Sequence, residues 1–168
     1  MGGVCLSFVE HTIKPVYDEN SKILILGTIP SPKSREHGFY YSHPQNRFWK
    51  LMSIIFNTAL PVNNEQKRKL LLENHIALWD VLKSCDIKGA GDSSIKNPEV
   101  NDIVWLLRES KIETIFTTGR KATDLYNKYC REYTNIDTYY LPSTSPANCA
   151  NFSLEDLVRE YEVIKKYL

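Results

Sequence analysis

The feature that most constrains the fold is a short, wholly apolar run, Ile23 to Leu26, which ends at Gly27. A strand without a polar face must be covered on both sides, as in the middle of a parallel sheet. Three later segments are rich in β-branched and aromatic residues and are spaced with room for crossover helices. They are Ile76 to Leu82, Ile112 to Thr118 and Ile136 to Leu141.

Helical periodicity fills the intervals between these segments. Apolar residues at helical spacing predict a helix that begins near Asn46, one over Glu65 to Asn74, and others after Gly119 and Ser153. A further helix is expected to open at Asn97-Pro98, because asparagine caps helices and proline suits their first turn. The alternation predicts a three-layer αβα sandwich with a central, mainly parallel sheet of about four strands.

The chain length of 168 residues and its hydrophobic content of 42% suit a single domain over residues 1–168 with a real apolar core. No stretch approaches the roughly 18 to 20 apolar residues of a membrane span, and no signal segment is evident. We therefore expect a cytoplasmic, nucleoid-associated monomer. Val4 to Ile13 allows either an edge strand or a short helix.

The four cysteines are widely spaced and contain no CxxC pair, so the sequence shows no zinc or iron–sulfur signature, and four reduced thiols are expected. The net charge of +1 gives little support to a nucleic-acid partner. The charge is nevertheless polarised, because cations cluster early in the chain and acids near its end. The early cluster, which leaves a basic face open, consists of Lys33, Arg35, His37, Arg47 and Lys50.

Ligands bind outside the carboxyl ends of parallel strands, so the segments that follow the strands are the places to look for a site. The segment after the first strand, from Gly27 to Trp49, is long and dense in aromatic and amide side chains. A loop of this length is uncommon in a compact domain unless it forms a site. After the last strand, Leu141 to Asn148 offers small hydroxyls stiffened by two prolines, which suits a phosphate.

Four motifs in order, GTIPSPKSREHGFYYSHPQNRFW, ALWDVL, GAGDSSI and LPSTSPAN, resemble the uracil-DNA glycosylase superfamily. Within it the chain is most similar to the hypoxanthine-DNA glycosylase and mismatch-specific branches. The resemblance implies a monofunctional enzyme without metal or cofactor. Such an enzyme hydrolyses the bond between a flipped, deaminated base, hypoxanthine or uracil, and its sugar in DNA.

The resemblance also implies base-contacting residues. Tyr41 occupies the position of an aromatic residue that stacks on the flipped base, and Thr28 and Ile29 belong to the first motif. Mismatch-specific enzymes carry an asparagine that positions water where this chain has Ile29, and an isoleucine cannot hold water. His43 is a candidate donor to the base or to a phosphate, and a purely structural histidine is the alternative.

Two residues are candidates for catalysis. Asn46 matches the functionally important asparagine of the His-Pro-x-Asn run in the hypoxanthine branch, and a helix cap is the alternative or additional role. Asp80, at the end of the second strand, is placed to orient a water or to read a base N–H. Its alternative role is to cap the following turn.

DNA contacts are expected outside the base pocket. Arg120 and Lys121 follow Gly119 at a helix start after the third strand, where helix polarity and charge favour phosphate, although many such turns look alike. Lys33 belongs to the early basic cluster. The last motif implies a loop that enters the minor groove and grips the backbone, formed by Ser143, Thr144, Ser145 and Pro146.

Two other functions remain open at this point. Because Ile29 replaces the water-positioning asparagine, the chain could be a catalytically silent nucleic-acid-binding protein on the same fold. A less favoured reading is an enzyme that acts on free nucleosides, which would not need the grip of the Ser143 to Ser145 loop on a DNA backbone.

Overall fold

The computed structural model describes residues 5–168. Its β-strands are β1 (Ser7–Glu10), β2 (Ile23–Gly27), β3 (Ile76–Asp80), β4 (Leu82–Ile87), β5 (Lys96–Val100), β6 (Thr114–Thr118) and β7 (Thr138–Leu141). The α-helices are α1 (Pro32–His37), α2 (Phe48–Ile55), α3 (Asn64–Glu73), α4 (Ile103–Arg108), α5 (Arg120–Tyr129), α6 (Arg131–Thr134) and α7 (Leu154–Tyr161). Short 3-10 helices cover Asp92–Ser94, Pro146–Asn148 and Glu162–Tyr167.

The centre of the fold is a parallel four-stranded sheet in the order β3-β2-β6-β7. Ile23 of β2 is in register with Ile76 of β3 on one side and with Thr114 of β6 on the other. Every residue of β2 and β3 is buried, which requires cover on both faces of the sheet. The predicted α/β sandwich with a central parallel sheet flanked by helices is confirmed.

A second sheet was not predicted. It is antiparallel, has the order β1-β4-β5, and packs beside the central sheet at the point where the chain leaves β3. The predicted single strand Ile76 to Leu82 is therefore wrong at its end, since β3 stops at Asp80 and Leu82 begins β4 in the other sheet. Buried Asn101 holds this transition by donating from Nδ2 to the carbonyls of Asp80 and Leu82, at 2.9 and 3.0 Å.

The helix predicted to open at Asn97-Pro98 is also wrong. Both residues lie in β5, an outer strand whose register against β4 shifts on either side of Ser84. Asn97 absorbs the irregularity with a left-handed φ of 51°, and Pro98 lacks the N–H that a regular ladder would use. The helix begins six residues later at Ile103, where the Asp102 side chain accepts from the backbone N–H of Trp105.

The N-terminal segment forms an edge strand, β1, over its described part, while Met1 to Val4 lie outside the described residues. β1 pairs with β4, and Val16 then makes an antiparallel bridge with Leu78 at the outer edge of β3. Within residues 5–168, no helix has the length and apolar character needed to cross a membrane.

The remaining helices begin close to their predicted positions. α5 follows Gly119, and α7 follows Ser153, whose side chain forms a reciprocal capping box with Asp156. α2 begins at Phe48 rather than Asn46, but Asn46 supplies the capping oxygen by accepting from the backbone N–H of Phe48 at 2.9 Å.

Candidate active site

A cavity of about 310 Å³ opens at the carboxyl ends of β2, β3 and β6, where the parallel sheet leaves its loops. One wall comes from the segment after β2 and another from the segment after β7. The antiparallel sheet contributes Val9 and Ile87 on a further side. The predicted site residues that line the cavity are Thr28, Ile29, Tyr41, His43, Asn46, Asp80, Ser143, Thr144, Ser145 and Pro146.

Asp80 lies at the floor of the cavity and is buried, with only 4% of its surface exposed. Its Oδ2 is 2.8 Å from Nε2 of His11, and the His11 side chain is 1% exposed. The aspartate therefore bonds to a histidine, and the turn-capping alternative does not describe its side chain. A fixed carboxylate beside an open cavity is a group that can accept a proton from a bound water.

Gly27 makes room for this carboxylate. A Cβ at Gly27 would lie 2.4 Å from Asp80 Oδ1 and 3.2 Å from the Tyr41 hydroxyl. Asp80 Oδ1 and the Tyr41 hydroxyl therefore both lie close to the Gly27 backbone at the end of β2. A side chain at this position would displace the carboxylate.

Tyr41 forms an aromatic wall of the cavity. Its ring stacks on Phe48 with centroids 4.1 Å apart and an interplanar angle of 18°, and Phe48 is fully buried behind it. Burial raises the pKa of the Tyr41 phenol, and the charge of Asp80 raises it further, so the hydroxyl keeps its proton. Tyr41 also holds a left-handed φ of 53°, a strained conformation that is characteristic of functional sites.

Asn46 joins the two loops that form the site. Its Oδ1 accepts from the Phe48 backbone N–H at 2.9 Å and from Thr144 Oγ1 at 2.8 Å. Both lone pairs of the oxygen are engaged, so the Nδ2 amino group is the part of Asn46 left to contact a ligand. Asn46 therefore combines the predicted capping position with a place in the cavity wall.

Arg47, which belongs to the early basic cluster of the sequence, holds the Ser143 to Pro146 loop in place. Its backbone N–H donates to the Thr144 carbonyl, and its guanidinium donates to the carbonyls of Ser145 and Phe152. Ser143 and Ser145 also bond within the loop, so the Ser143 to Pro146 segment has a defined shape.

His43 and Asp92 lie nearer the rim. His43 Nδ1 accepts from the Gln45 backbone N–H at 3.1 Å, so in its neutral form the ring carries its proton on Nε2. Thr28 Oγ1 donates to Asp92 at 3.5 Å, a long bond. Burial of its carboxyl group raises the pKa of Asp92, and the negative charge of Asp80 adds to this.

Three predicted DNA-binding residues do not line the cavity. Lys33 is exposed and pairs with Glu36 at 3.5 Å. Arg120 is exposed at the start of α5, and its guanidinium carbon lies 4.7 Å from the centre of the Tyr140 ring. Lys121 is close enough to Asp92 to lower the pKa of that carboxyl group.

Sequence reasoning missed His11 as a member of the site. It lies in a segment that no motif covers, and β1 and the following turn bring it to Asp80 across 69 residues of chain. No periodicity or spacing could have indicated this pairing. The requirement for glycine at position 27 could have been predicted, because a glycine at the end of a buried strand often marks a place where another group lies close to the backbone.

Residues 5–168 hold no group of three or more His, Cys, Asp or Glu side chains arranged to bind a metal ion. All four cysteines are free thiols, with Cys85 and Cys130 buried and Cys5 and Cys149 exposed.

Residues 14–166 match the profile of the family described as the Uracil DNA glycosylase superfamily. The chain belongs to this superfamily. The family indicated by the four ordered motifs is therefore confirmed, and the match extends beyond those motifs toward both ends of the chain.

Two relatives come from Methanosarcina species. A protein of Methanosarcina acetivorans named Hypoxanthine DNA glycosylase is 40% identical over 142 residues, covering 83% of this chain and 89% of the relative. Its namesake from Methanosarcina barkeri is 36% identical over 136 residues, covering 80% and 85%. A solution NMR structure of a proposed uracil DNA glycosylase from M. acetivorans superposes with a TM-score of 0.81 at 34% identity, covering 95% of this chain and 98% of that one.

Proposed function

We propose that this protein is a monofunctional DNA glycosylase that removes deaminated bases from DNA, with hypoxanthine as its leading substrate and uracil as the second. The observation that carries the proposal is the meeting of Tyr41, Asn46 and Asp80 in one cavity at the carboxyl edge of the sheet. The cavity volume of about 310 Å³ falls at the lower end of small-ligand pockets. The two hypoxanthine DNA glycosylase relatives favour hypoxanthine over uracil.

Base flipping places the extruded base against Tyr41. Phe48 covers one face of the Tyr41 ring, which leaves the cavity face for the base. Stacking on such a platform contributes about 1–3 kcal/mol per base, enough to offset part of the unstacking from the duplex. The Nδ2 group of Asn46 donates a hydrogen bond to the base or to the attacking water.

Hydrolysis then breaks the bond between C1′ of the sugar and the base nitrogen. The bonding electron pair leaves with the base, and the oxygen of a water molecule bonds to C1′. Asp80 takes one proton from this water and passes it to solvent or to the departed base. His11 holds the carboxylate in place through the 2.8 Å contact, so that Oδ1 is the oxygen free to face the water.

The Ser143 to Pro146 loop grips the DNA backbone beside the flipped nucleotide, with Lys33, Arg120 and Lys121 contacting phosphates farther out. Thr144 of this loop donates a hydrogen bond to Asn46 and so connects the loop to the segment that carries Asn46. Because phosphate contacts release counterions, DNA binding is expected to weaken as salt rises.

A single-turnover excision assay tests the proposal on duplexes that carry hypoxanthine, uracil, xanthine or a mispaired thymine. We expect abasic product from hypoxanthine and more slowly from uracil. Asn46→Ala and Asp80→Asn should each lower the rate by about 10²-fold or more. Absence of abasic product from all four duplexes would refute the enzyme, and losses below fivefold in both variants would refute the two assignments.

A second candidate function is a lesion-binding protein without catalysis, which Ile29 favours because it lines the cavity without a polar group to hold water. Strong, lesion-specific binding with no detectable cleavage by the parent protein would support this candidate instead.

We further propose a single-domain monomer in the cytoplasm, associated with the nucleoid; light scattering on the purified protein tests the monomer.

A further inference from the structure

Arg35 of α1 lines the cavity and stands out among the residues around it. Among the described lining residues it is the one lysine or arginine. Its guanidinium makes no hydrogen bond and no ion pair within the described chain, and its Nε is buried without a partner. An arginine keeps its charge at any physiological pH, so this is a permanent cation without an internal counterion.

An arginine without a hydrogen-bond acceptor at its buried Nε lowers the stability of the fold unless a ligand supplies the acceptor. A buried donor without an acceptor loses the full free energy of its hydration, and more so when it is charged. Of the two carboxylates that line the cavity, Asp80 bonds to His11 and Asp92 accepts from Thr28, and neither forms an ion pair with Arg35. The guanidinium is therefore available to a ligand.

The chemistry of the proposed reaction supplies that group. A base that leaves with the bonding electron pair becomes an anion, and its negative charge spreads over its ring nitrogens and carbonyl oxygen. A cation in a partly enclosed cavity stabilises such developing charge better than one in bulk water. A planar fork of N–H donors also matches the adjacent acceptors on the edge of a purine.

We propose that Arg35 donates to the acceptor edge of the flipped purine and stabilises the negative charge that develops on it as the bond to the sugar breaks. Arg35 transfers no proton in this step; the departed base takes its proton from water. The inference rests on the proposed glycosylase function and adds to it a catalytic residue that also favours purines over pyrimidines.

A DNA phosphate is the other acceptor that an arginine could meet. The partial burial of Arg35 favours the base, because the proposed phosphate contacts lie farther from the cavity, at exposed residues such as Lys33. The two acceptors differ in what the loss of Arg35 would change. A base contact affects the rate of the chemical step, whereas a phosphate contact affects the affinity for any duplex.

The test compares Arg35→Ala, Arg35→Gln and Arg35→Lys with the parent protein in single-turnover excision of hypoxanthine and of uracil. Arg108→Ala, at an exposed arginine in the last turn of α4, is the matched control for loss of one cation. We expect Arg35→Ala to lower the hypoxanthine rate by about 10²-fold, with a smaller loss on uracil and a partial recovery in Arg35→Lys. Free hypoxanthine should inhibit the parent more strongly than Arg35→Ala.

Affinity for undamaged duplex, measured across salt concentrations, completes the experiment. We expect Kd values within twofold of the parent for all three variants. A general loss of affinity with a salt slope reduced by about one would identify a phosphate contact and overturn the proposal. The proposal would also be overturned if Arg35→Ala keeps a rate within threefold of the parent and a folded Arg35→Gln or Arg35→Lys protein does so too. An inactive parent protein would instead refute the glycosylase function itself.

Discussion

Gly27→Ala offers a sharp test of the active-site geometry, because it adds one methyl group at the floor of the cavity. Gly27 does not use a left-handed φ, so alanine is compatible with the backbone and the effect comes from the added Cβ alone. That Cβ would lie 2.4 Å from Asp80 Oδ1, whereas ordinary contact begins at 3.4 Å. The carboxylate must therefore retreat by about 1 Å in a close-packed surrounding.

The displacement affects both rate and stability. A displacement of that size disturbs the bond between Asp80 Oδ2 and His11 Nε2, which are now 2.8 Å apart, unless the histidine moves with the carboxylate. Misplacement of a catalytic group by about 1 Å can lower the rate by about 10²-fold. Overpacking costs about 1–3 kcal/mol, and the stiffer unfolded chain offsets about 0.4–1 kcal/mol of that. The net loss is therefore at most about 2.6 kcal/mol, which lowers Tm by up to about 10 °C in a chain of this size.

Single-turnover excision of hypoxanthine, at a temperature well below both Tm values, measures the first effect, and thermal unfolding measures the second. Ile164→Val is the control for stability, since it removes one buried methyl group outside the cavity at a cost of about 0.5–1.5 kcal/mol. It should lower Tm without changing the excision rate by more than twofold. A Gly27→Ala protein with the parent's rate would refute the assignment of Asp80 as a precisely held catalytic group.

Three further predictions concern stability and reactivity. Burial raises the pKa of the Asp92 carboxyl group, so the charged carboxylate destabilises the folded state above that raised pKa. Below the ordinary carboxyl pKa the group is protonated in both the folded and the unfolded chain and has no such effect. Asp92→Asn should therefore raise Tm at pH 7 and leave Tm unchanged below about pH 4. An unchanged Tm difference across this pH range would contradict the raised pKa of Asp92. Asp102→Ala removes the cap of α4 outside the cavity and should cost about 1 kcal/mol in urea unfolding with no loss of excision activity. A thiol reagent should modify Cys5 and Cys149 in the native protein but Cys85 and Cys130 only after unfolding, because burial raises the pKa of the Cys130 thiol to about 11 and also raises that of Cys85; four reactive native thiols would contradict the packing.

The central sheet could be predicted because its signal is local. A strand buried on both faces needs a continuous apolar run, and Ile23 to Leu26 is such a run, because it has no polar side chain to face solvent. The helices after Gly119 and Ser153 likewise carry their caps and apolar stripes within a dozen residues. Since the carboxyl ends of parallel strands share one edge, the place of the cavity followed from the order of the strands.

Local signals failed where a distant partner decided the outcome. Asn97-Pro98 has the composition of a helix start, yet pairing with β4 draws both residues into an outer strand and the bulge uses their particular backbone properties. The strand from Ile76 divides at Val81 because Asn101 holds the backbone on both sides of the break. Neither event leaves a trace in the spacing of apolar residues.

The sequence by itself determined the parallel sheet, the family and ten of the residues that meet in the cavity, because motifs and apolar runs are properties of neighbouring positions. The tertiary structure alone decided that His11 bonds to Asp80 and that Asn46 turns its amino group rather than its oxygen to the site. It also decided that Arg35 finds no hydrogen-bond or ion-pair partner among residues 5–168. These are facts about atoms from distant parts of the chain. Hydrogen bonding and burial act over a few ångströms of space, and only the folded chain brings those atoms that close.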